Sequence, residues 1–130
     1  MFTKTTRDIK ITAIPQFLPE HSDPEQAHYV WAYTIEIENT GNETVQLLSR
    51  HWHITDAKGL VQEVRGAGVV GEQPVLGPRD AFRYTSGTSL GTPSGIMVGE
   101  YQMSTPGGEP FEIDVPAFSL DSPFQVKRVH

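Results

Sequence analysis

His51 and His53 stand two positions apart in this chain of 130 residues, and on a strand they point to one face, opposite Trp52. Two imidazoles so placed can share a divalent cation once a third ligand, from Asp56, His21 or His28, fills out a tetrahedral or octahedral set. A pair alone is incomplete, so no metal or other cofactor is expected. A second constellation is the glycine loop Gly66-Ala67-Gly68-Val69-Val70-Gly71, spelled like a dinucleotide-binding loop. Such a loop must open a helix whose N–H groups hold a pyrophosphate, with an acidic residue roughly 20 positions on for the ribose. Here Glu72-Gln73-Pro74-Val75-Leu76-Gly77-Pro78 puts two prolines and a glycine where the helix should run, and no Asp or Glu occurs between Asp80 and Glu100. Read instead as a phosphate loop, Gly66 and Gly71 have the right interval, but Glu72 stands where lysine is needed. Gly66, Gly68 and Gly71 are therefore expected to serve the backbone, and nucleotide binding is not expected.

Gly87-Thr88-Ser89-Leu90-Gly91 spells a nucleophile elbow, yet Thr92-Pro93-Ser94-Gly95 cannot begin the helix that exposes such a serine, and the one histidine after Ser89 is His130. Glu36 and Glu38 share a strand face with nothing to set one as acid and the other as base. No catalytic residue is assigned, and an enzyme is not expected.

The absence of cysteine removes disulfides and thiolate chemistry, and the first residues, Met1 to Arg7, lack an apolar signal region. With no apolar run near the ~18 residues of a membrane span, a cytoplasmic location is expected and a membrane partner is not. The net charge of −6 and a pI near 5.2 repel phosphate backbones, and Lys127-Arg128 is the one adjacent basic pair, so nucleic acid is not an expected partner.

The elements that must hold these residues are strands. In Tyr29 to Glu38, Tyr29, Trp31, Tyr33, Ile35 and Ile37 fall on one face. Thr44 to Ile54 puts Leu48, Trp52 and Ile54 on another, and with the turn Asn39-Thr40-Gly41-Asn42 between them the two runs read as a hairpin. Asp56-Ala57-Lys58-Gly59 turns the chain into a short strand, Leu60 to Arg65. Ile9 to Ile14, Ala81 to Thr85, Ile96 to Met103 and Phe111 to Val115 bring the total to about seven, the pattern of an all-β, two-sheet antiparallel sandwich forming one domain over 1–130. Alternating aromatics at Tyr29, Trp31, Tyr33, Trp52, Phe82, Tyr84 and Phe111 are expected to build its core. Arg65 to Pro78 and Ser86 to Gly95 are expected as long loops at its ends.

Arg50-His51-Trp52, Ile54-Thr55-Asp56, Glu63-Val64 with Gly66, Gly68-Val69-Val70-Gly71 and Gln73-Pro74, Tyr84-Thr85-Ser86-Gly87, and Thr92-Pro93, Gly95, Met97, Gly99, Tyr101 and Met103 closely resemble the ApaG family. Gln16 to Pro24, Tyr29 to Asn39 and Pro110 to Leu120 extend the resemblance to nearly the whole chain. Arg79 departs from it, standing where glycine is the expectation after the proline of a corner, so a left-handed turn is not implied there. The resemblance implies an immunoglobulin or fibronectin type III-like β-sandwich, found alone in bacteria and as a domain of some F-box proteins and of a polymerase-delta-interacting protein. The family's names refer to a gene beside a diadenosine tetraphosphate hydrolase and to divalent-cation efflux, and neither gives a residue a role. The expectation is thus a binding module acting on an unidentified protein partner through Val69, Val70, Gln73 and Leu90 on its loops. The alternatives are a nucleoside-polyphosphate or divalent-cation protein using the glycine loop with His51 and His53, and a part in cation homeostasis.

Overall fold

Alternation of apolar and polar residues builds two antiparallel sheets. In order along the chain the strands are β1 (Phe2–Thr6), β2 (Ile9–Phe17), β3 (Tyr29–Asn39), β4 (Val45–Asp56), β5 (Val61–Ala67), β6 (Val75–Leu76), β7 (Ala81–Leu90), β8 (Gly95–Ser104) and β9 (Pro110–Leu120). One sheet has the order β1-β2-β3-β7 and the other β5-β4-β8-β9, with the two-residue β6 paired to β4. This computed structural model describes residues 1–124; Lys127, Arg128 and His130 lie outside them. Among the described residues no helix is long and apolar enough to cross a membrane.

β3 alternates buried and half-buried residues along its whole length, and Trp31, Ile35 and Ile37 meet Trp52, Tyr101, Met103 and Phe118 from the facing sheet in one core. Trp52 packs edge-on against Tyr33, Tyr101 and Phe118. Its Cε3–Cζ3 edge lies so close to Gly99 of β8 that a Cβ there would overlap the ring, which is why glycine stands at that position. Two strands exceed the expected count, β1 and β6. β1 is mostly exposed and carries little of the apolar alternation that marks the other strands.

The structure corrects four expectations. β3 and β4 do not form a hairpin: they belong to different sheets, and the turn between them is a crossing. The buried Asn39 organises it, donating from Nδ2 to the carbonyls of Glu43 and Leu76 while Oδ1 accepts from the Gly41 N–H. A side chain that ties together three backbone groups replaces the pairing a hairpin would supply. Leu48 is not the inward residue of β4; Leu47 is, with no exposure. A β-bulge places Leu48 as an extra residue between Leu47, opposite Met103, and Ser49, opposite Gln102. Below the bulge Arg50, Trp52 and Ile54 face inward. Third, Ser86 to Leu90 is not loop but the second half of β7, paired with Tyr29 to Tyr33, so Ser89 sits in a regular strand. Fourth, Arg79 does adopt a left-handed conformation, at φ 73°. Its N–H donates to the Asn39 carbonyl and its Nη1 to those of Thr40 and Gly41, offsetting the steric cost that glycine would avoid.

Candidate functional site

The outer face of β5-β4-β8-β9 carries the histidines. The turn at Asp56 is held by its own side chain, whose Oδ1 accepts from the N–H groups of Lys58 and Leu60. That fixes the β4–β5 pairing so that Glu63 lies opposite His53, with Arg65 opposite His51. Asp56, engaged in the turn, is not the third group beside the histidines; Glu63 is. Ligand atoms of His51, His53 and Glu63 all lie within 4.8 Å of one another. Glu63 Oε1 is 3.2 Å from His51 Nε2 and 3.5 Å from His53 Nδ1, and the two rings are 4.3 Å apart.

Behind them Glu100, opposite His51 on β8, places Oε1 2.7 Å from His51 Nδ1. A carboxylate on the far nitrogen orients an imidazole and makes it a better ligand through the near one. His21 and His28 have no part in this group, since they flank the turns before β3. Sequence reasoning missed Glu63 and Glu100: counting back symmetrically from the Asp56–Gly59 turn pairs His53 with Gln62, and the turn is one residue longer, closed by the Asp56 N–H on the Leu60 carbonyl, which moves the partner to Glu63.

The glycine loop faces inward on itself. Gly66 and Ala67 end β5, and Val69-Val70-Gly71-Glu72 is a two-residue reverse turn in which the N–H of each end residue donates to the carbonyl of the other. Val70 and Gly71 both have positive φ, 44° and 81°, the requirement of a type I′ turn. Gly68, at φ 63°, has no room for a side chain, because a Cβ would fall on the Glu72 carbonyl. Its N–H donates to the carbonyl of the bulged Leu48, and so does Gln73 Nε2. Arg50 Nη1 donates to the carbonyls of Ala67 and Gly68, and its guanidinium lies against Gly66, where a Cβ would stand 2.7 Å from Nη1. The loop thus turns carbonyls toward a cation and commits the N–H groups of Gly68, Val69 and Glu72 within the fold. A phosphate cradle needs the opposite polarity.

Of the four loop residues expected at a docking surface, Val69 and Leu90 are buried, at 0 % and 7 % exposure, and lie in the core. Val70 is exposed at the tip of the turn, and Gln73 holds the bulge. Inside the sandwich Tyr84 and Tyr101 share a 2.6 Å hydrogen bond between their hydroxyls. Burial pushes the pKa of both well above the ordinary tyrosine value, and it raises Tyr33 as well, where the Ser86 hydroxyl and the Arg50 charge pull the other way.

With β2-β3-β7 packed on β5-β4-β8-β9, the fold is that of a fibronectin type III-like sandwich, to which β1 adds an edge. Residues 19–105 match the family model of the ApaG domain. The chain belongs to the ApaG family. It is 62% identical over 123 residues to the ApaG protein of Rhodospirillum centenum, covering 95% of each, and 59% identical over 130 residues to that of Paramagnetospirillum magneticum, covering all of both. Among solved structures it is similar to an ApaA protein of Bordetella pertussis, with TM-score 0.87, 49% identity and coverage of 91% of this chain and 96% of that one. A structural-genomics protein superposes with TM-score 0.85 at 43% identity, over 95% of this chain and 93% of that one.

Proposed function

We propose that the chain is a non-catalytic binding module that holds another protein on the outer face of β5-β4-β8-β9. One observation carries this reading. Val61 and Ile96 flank Thr55 from the two neighbouring strands, and Val98 stands beside His53 on the next rung; the three are exposed at 58, 52 and 40 %. A solvated sheet face is ordinarily polar, and adjoining apolar side chains left in water mark a surface that gains by being covered. The test is affinity capture from the native cell, followed by binding of the purified partner to the wild type and to Ile96→Glu and Val98→Glu. Both substitutions fall on exposed positions and should leave the melting temperature unchanged. Loss of the partner in these variants and retention in Val70→Glu, beyond the other end of β5, is the expected pattern. A partner held equally by all of them rejects this face, and one lost by Val70→Glu alone returns the docking surface to the glycine turn.

A second reading rests on a separate observation, the convergence of His51, His53 and Glu63 with Glu100 behind His51. Two imidazoles and a carboxylate suit a transition-metal divalent cation such as Zn²⁺ or Co²⁺ better than Mg²⁺, which prefers an all-oxygen shell. Open positions on the exposed side leave room for water or a partner's ligand. Calorimetric titration with each of the three cations checks this: saturable heat with Zn²⁺ or Co²⁺ that His53→Ala removes supports a cation protein, and heat that survives His53→Ala rejects the site.

A further inference from the structure

Between the edges β5 and β7 the two sheets part, and a cleft of about 340 Å³ opens into the sandwich. Its lining is unusual for an interior. Arg50 enters from β4, Gln62 from β5, and Ser86 and Thr88 from β7, and no Asp or Glu lines the cleft although acidic residues outnumber basic ones in the chain, 16 to 10. Arg50 has no carboxylate partner among the described residues; its Nη1 is held by the Ala67 and Gly68 carbonyls, which leaves Nη2 and Nε without a protein acceptor there.

A second, independent group points the same way. Trp52 is 2 % exposed and its Nε1 has no hydrogen-bond partner among the described residues, whereas the Nε1 of Trp31 donates to the Asp121 carbonyl at 2.8 Å. Trp52 itself lines the cleft, and because its Cε3–Cζ3 edge is turned to Gly99 on β8, the opposite edge, bearing Nε1, faces away from Gly99. A buried N–H left unpaired costs about 1–3 kcal/mol, and a half-buried guanidinium short of acceptors adds to that cost.

We propose that this cleft binds a small oxyanion, the carboxylate or phosphate group of a metabolite-sized ligand, between the Arg50 guanidinium and the Trp52 indole N–H. Both are donors, and both carry the hydrogen that an oxyanion accepts; a guanidinium fork matches the two oxygens of either group. The Ser86 and Thr88 hydroxyls at the rim can donate to the remaining oxygens, and Ile54 and Val64 offer an apolar floor to the rest of the molecule. This site is distinct from the outer histidine face and from the N–H groups of the glycine loop, and it stands if both of those fail.

The two indoles make the experiment self-controlled. In ¹⁵N-labelled wild type, the Trp52 indole cross-peak should move saturably as sodium phosphate or sodium succinate is added at constant ionic strength, while the Trp31 cross-peak stays fixed. A shift with phosphate alone assigns a phosphate-bearing ligand, with succinate alone a carboxylate, and with both a general oxyanion site. Arg50→Gln should weaken binding by roughly 10- to 100-fold, the span of a lost charge-assisted hydrogen bond. Arg50→Lys keeps the charge and loses the fork, so it should weaken it less. Ser86→Ala, which leaves Arg50 and its hold on the loop in place, gives a folded variant with a smaller loss even if Arg50→Gln does not fold. No saturable movement of the Trp52 peak with either anion, equal movement of both indoles, or unchanged affinity in Arg50→Lys and Ser86→Ala together overturns the proposal.

Discussion

Along one side of the sandwich β1 closes over β9: Phe2 meets Phe118 at 6.3 Å, Lys4 pairs with Asp114 at 3.2 Å, and the Asp114 N–H points to the Thr6 hydroxyl. Along the other side β5 and β7 stand apart, and the side chains they turn into the cleft between them are those of Gln62, Val64, Ser86 and Thr88. Both seams are bounded by strands that pair on one edge only. The difference lies in what was added. An extra strand covers the first seam, so inward there means apolar; among the described residues nothing of the kind spans the second, where the cleft is half-wet and polar. A sandwich can thus keep a dry core on one flank and a solvent-facing cleft on the other without any change in strand direction.

The largest test of that contrast is Phe118→Ala. The ring touches Phe2, Tyr33 and Trp52, and its removal from the closed side should cost about 3–5 kcal/mol in denaturant unfolding. Val64→Ala on the open side should cost about 1 kcal/mol. Comparable losses at the two positions remove the distinction.

Alkaline unfolding sharpens it further. Tyr84 and Tyr101 have raised pKa values in the folded state because burial disfavours their phenolates. Their contribution is intact below the unfolded value near 10.0 and is lost as pH rises beyond it, when the unfolded chain releases protons that the folded one retains. Each tyrosine that ionises only on unfolding lowers stability by up to about 1.4 kcal/mol per pH unit above that point. Thermal melts should therefore show little effect of these groups below pH 10 and a steep fall above it. Tyr84→Phe with Tyr101→Phe should flatten that fall more than Tyr33→Phe, whose raised pKa is partly offset by Ser86 and Arg50 at the open cleft. An unaltered alkaline limb in the double variant contradicts the assignment.

Smaller effects belong to the loop that braces the open side. Gly68→Ala places a methyl on the Glu72 carbonyl at a left-handed φ and should cost about 1–2 kcal/mol or more. Val70→Gly at the exposed tip should go the other way, raising stability by about 1 kcal/mol in the same melts, since a β-branched residue at φ 44° is strained. A destabilised Val70→Gly shows that the valine makes contacts worth more than its strain. Smallest of all, Lys4→Ala breaks an ion pair whose members are about half exposed and should change stability by less than about 1 kcal/mol.

Much of the fold was legible because β3 obeys period two without exception and because turn residues at Asp56 to Gly59 punctuate the chain as they should. What was not legible has local causes. The Asn39 crossing resembles a hairpin turn in composition, and only the long-range bond of its side chain to the Leu76 carbonyl, beside the local one to Glu43, gives it away. Ser86 to Leu90 is rich in the small and hydroxylic residues that mark loops, yet pairing with β3 overrides that preference. Of the candidate site, the shared face of His51 and His53 follows from their spacing alone, whereas Glu63, Glu100 and the inward course of Arg50 depend on cross-strand partners and on a bulge that no pattern of hydrophobicity announces.

That bulge acts as a phase shift in β4. Were Leu48 instead to pair regularly, opposite Gln102, every side chain after it would trade places: His51, His53 and Thr55 would enter the interior while Arg50, Trp52 and Ile54 faced water. What holds the extra residue in place is its carbonyl, which accepts from the Gly68 N–H and from Gln73 Nε2. The Thr105-to-Glu109 turn, closed by the backbone bond from the Thr105 N–H to the Glu109 carbonyl, is under no such constraint. Insertions and deletions among related chains should gather in turns of that kind and spare β4 beyond Leu48, where a slip of one residue exchanges the chemistry that each side of the sheet presents.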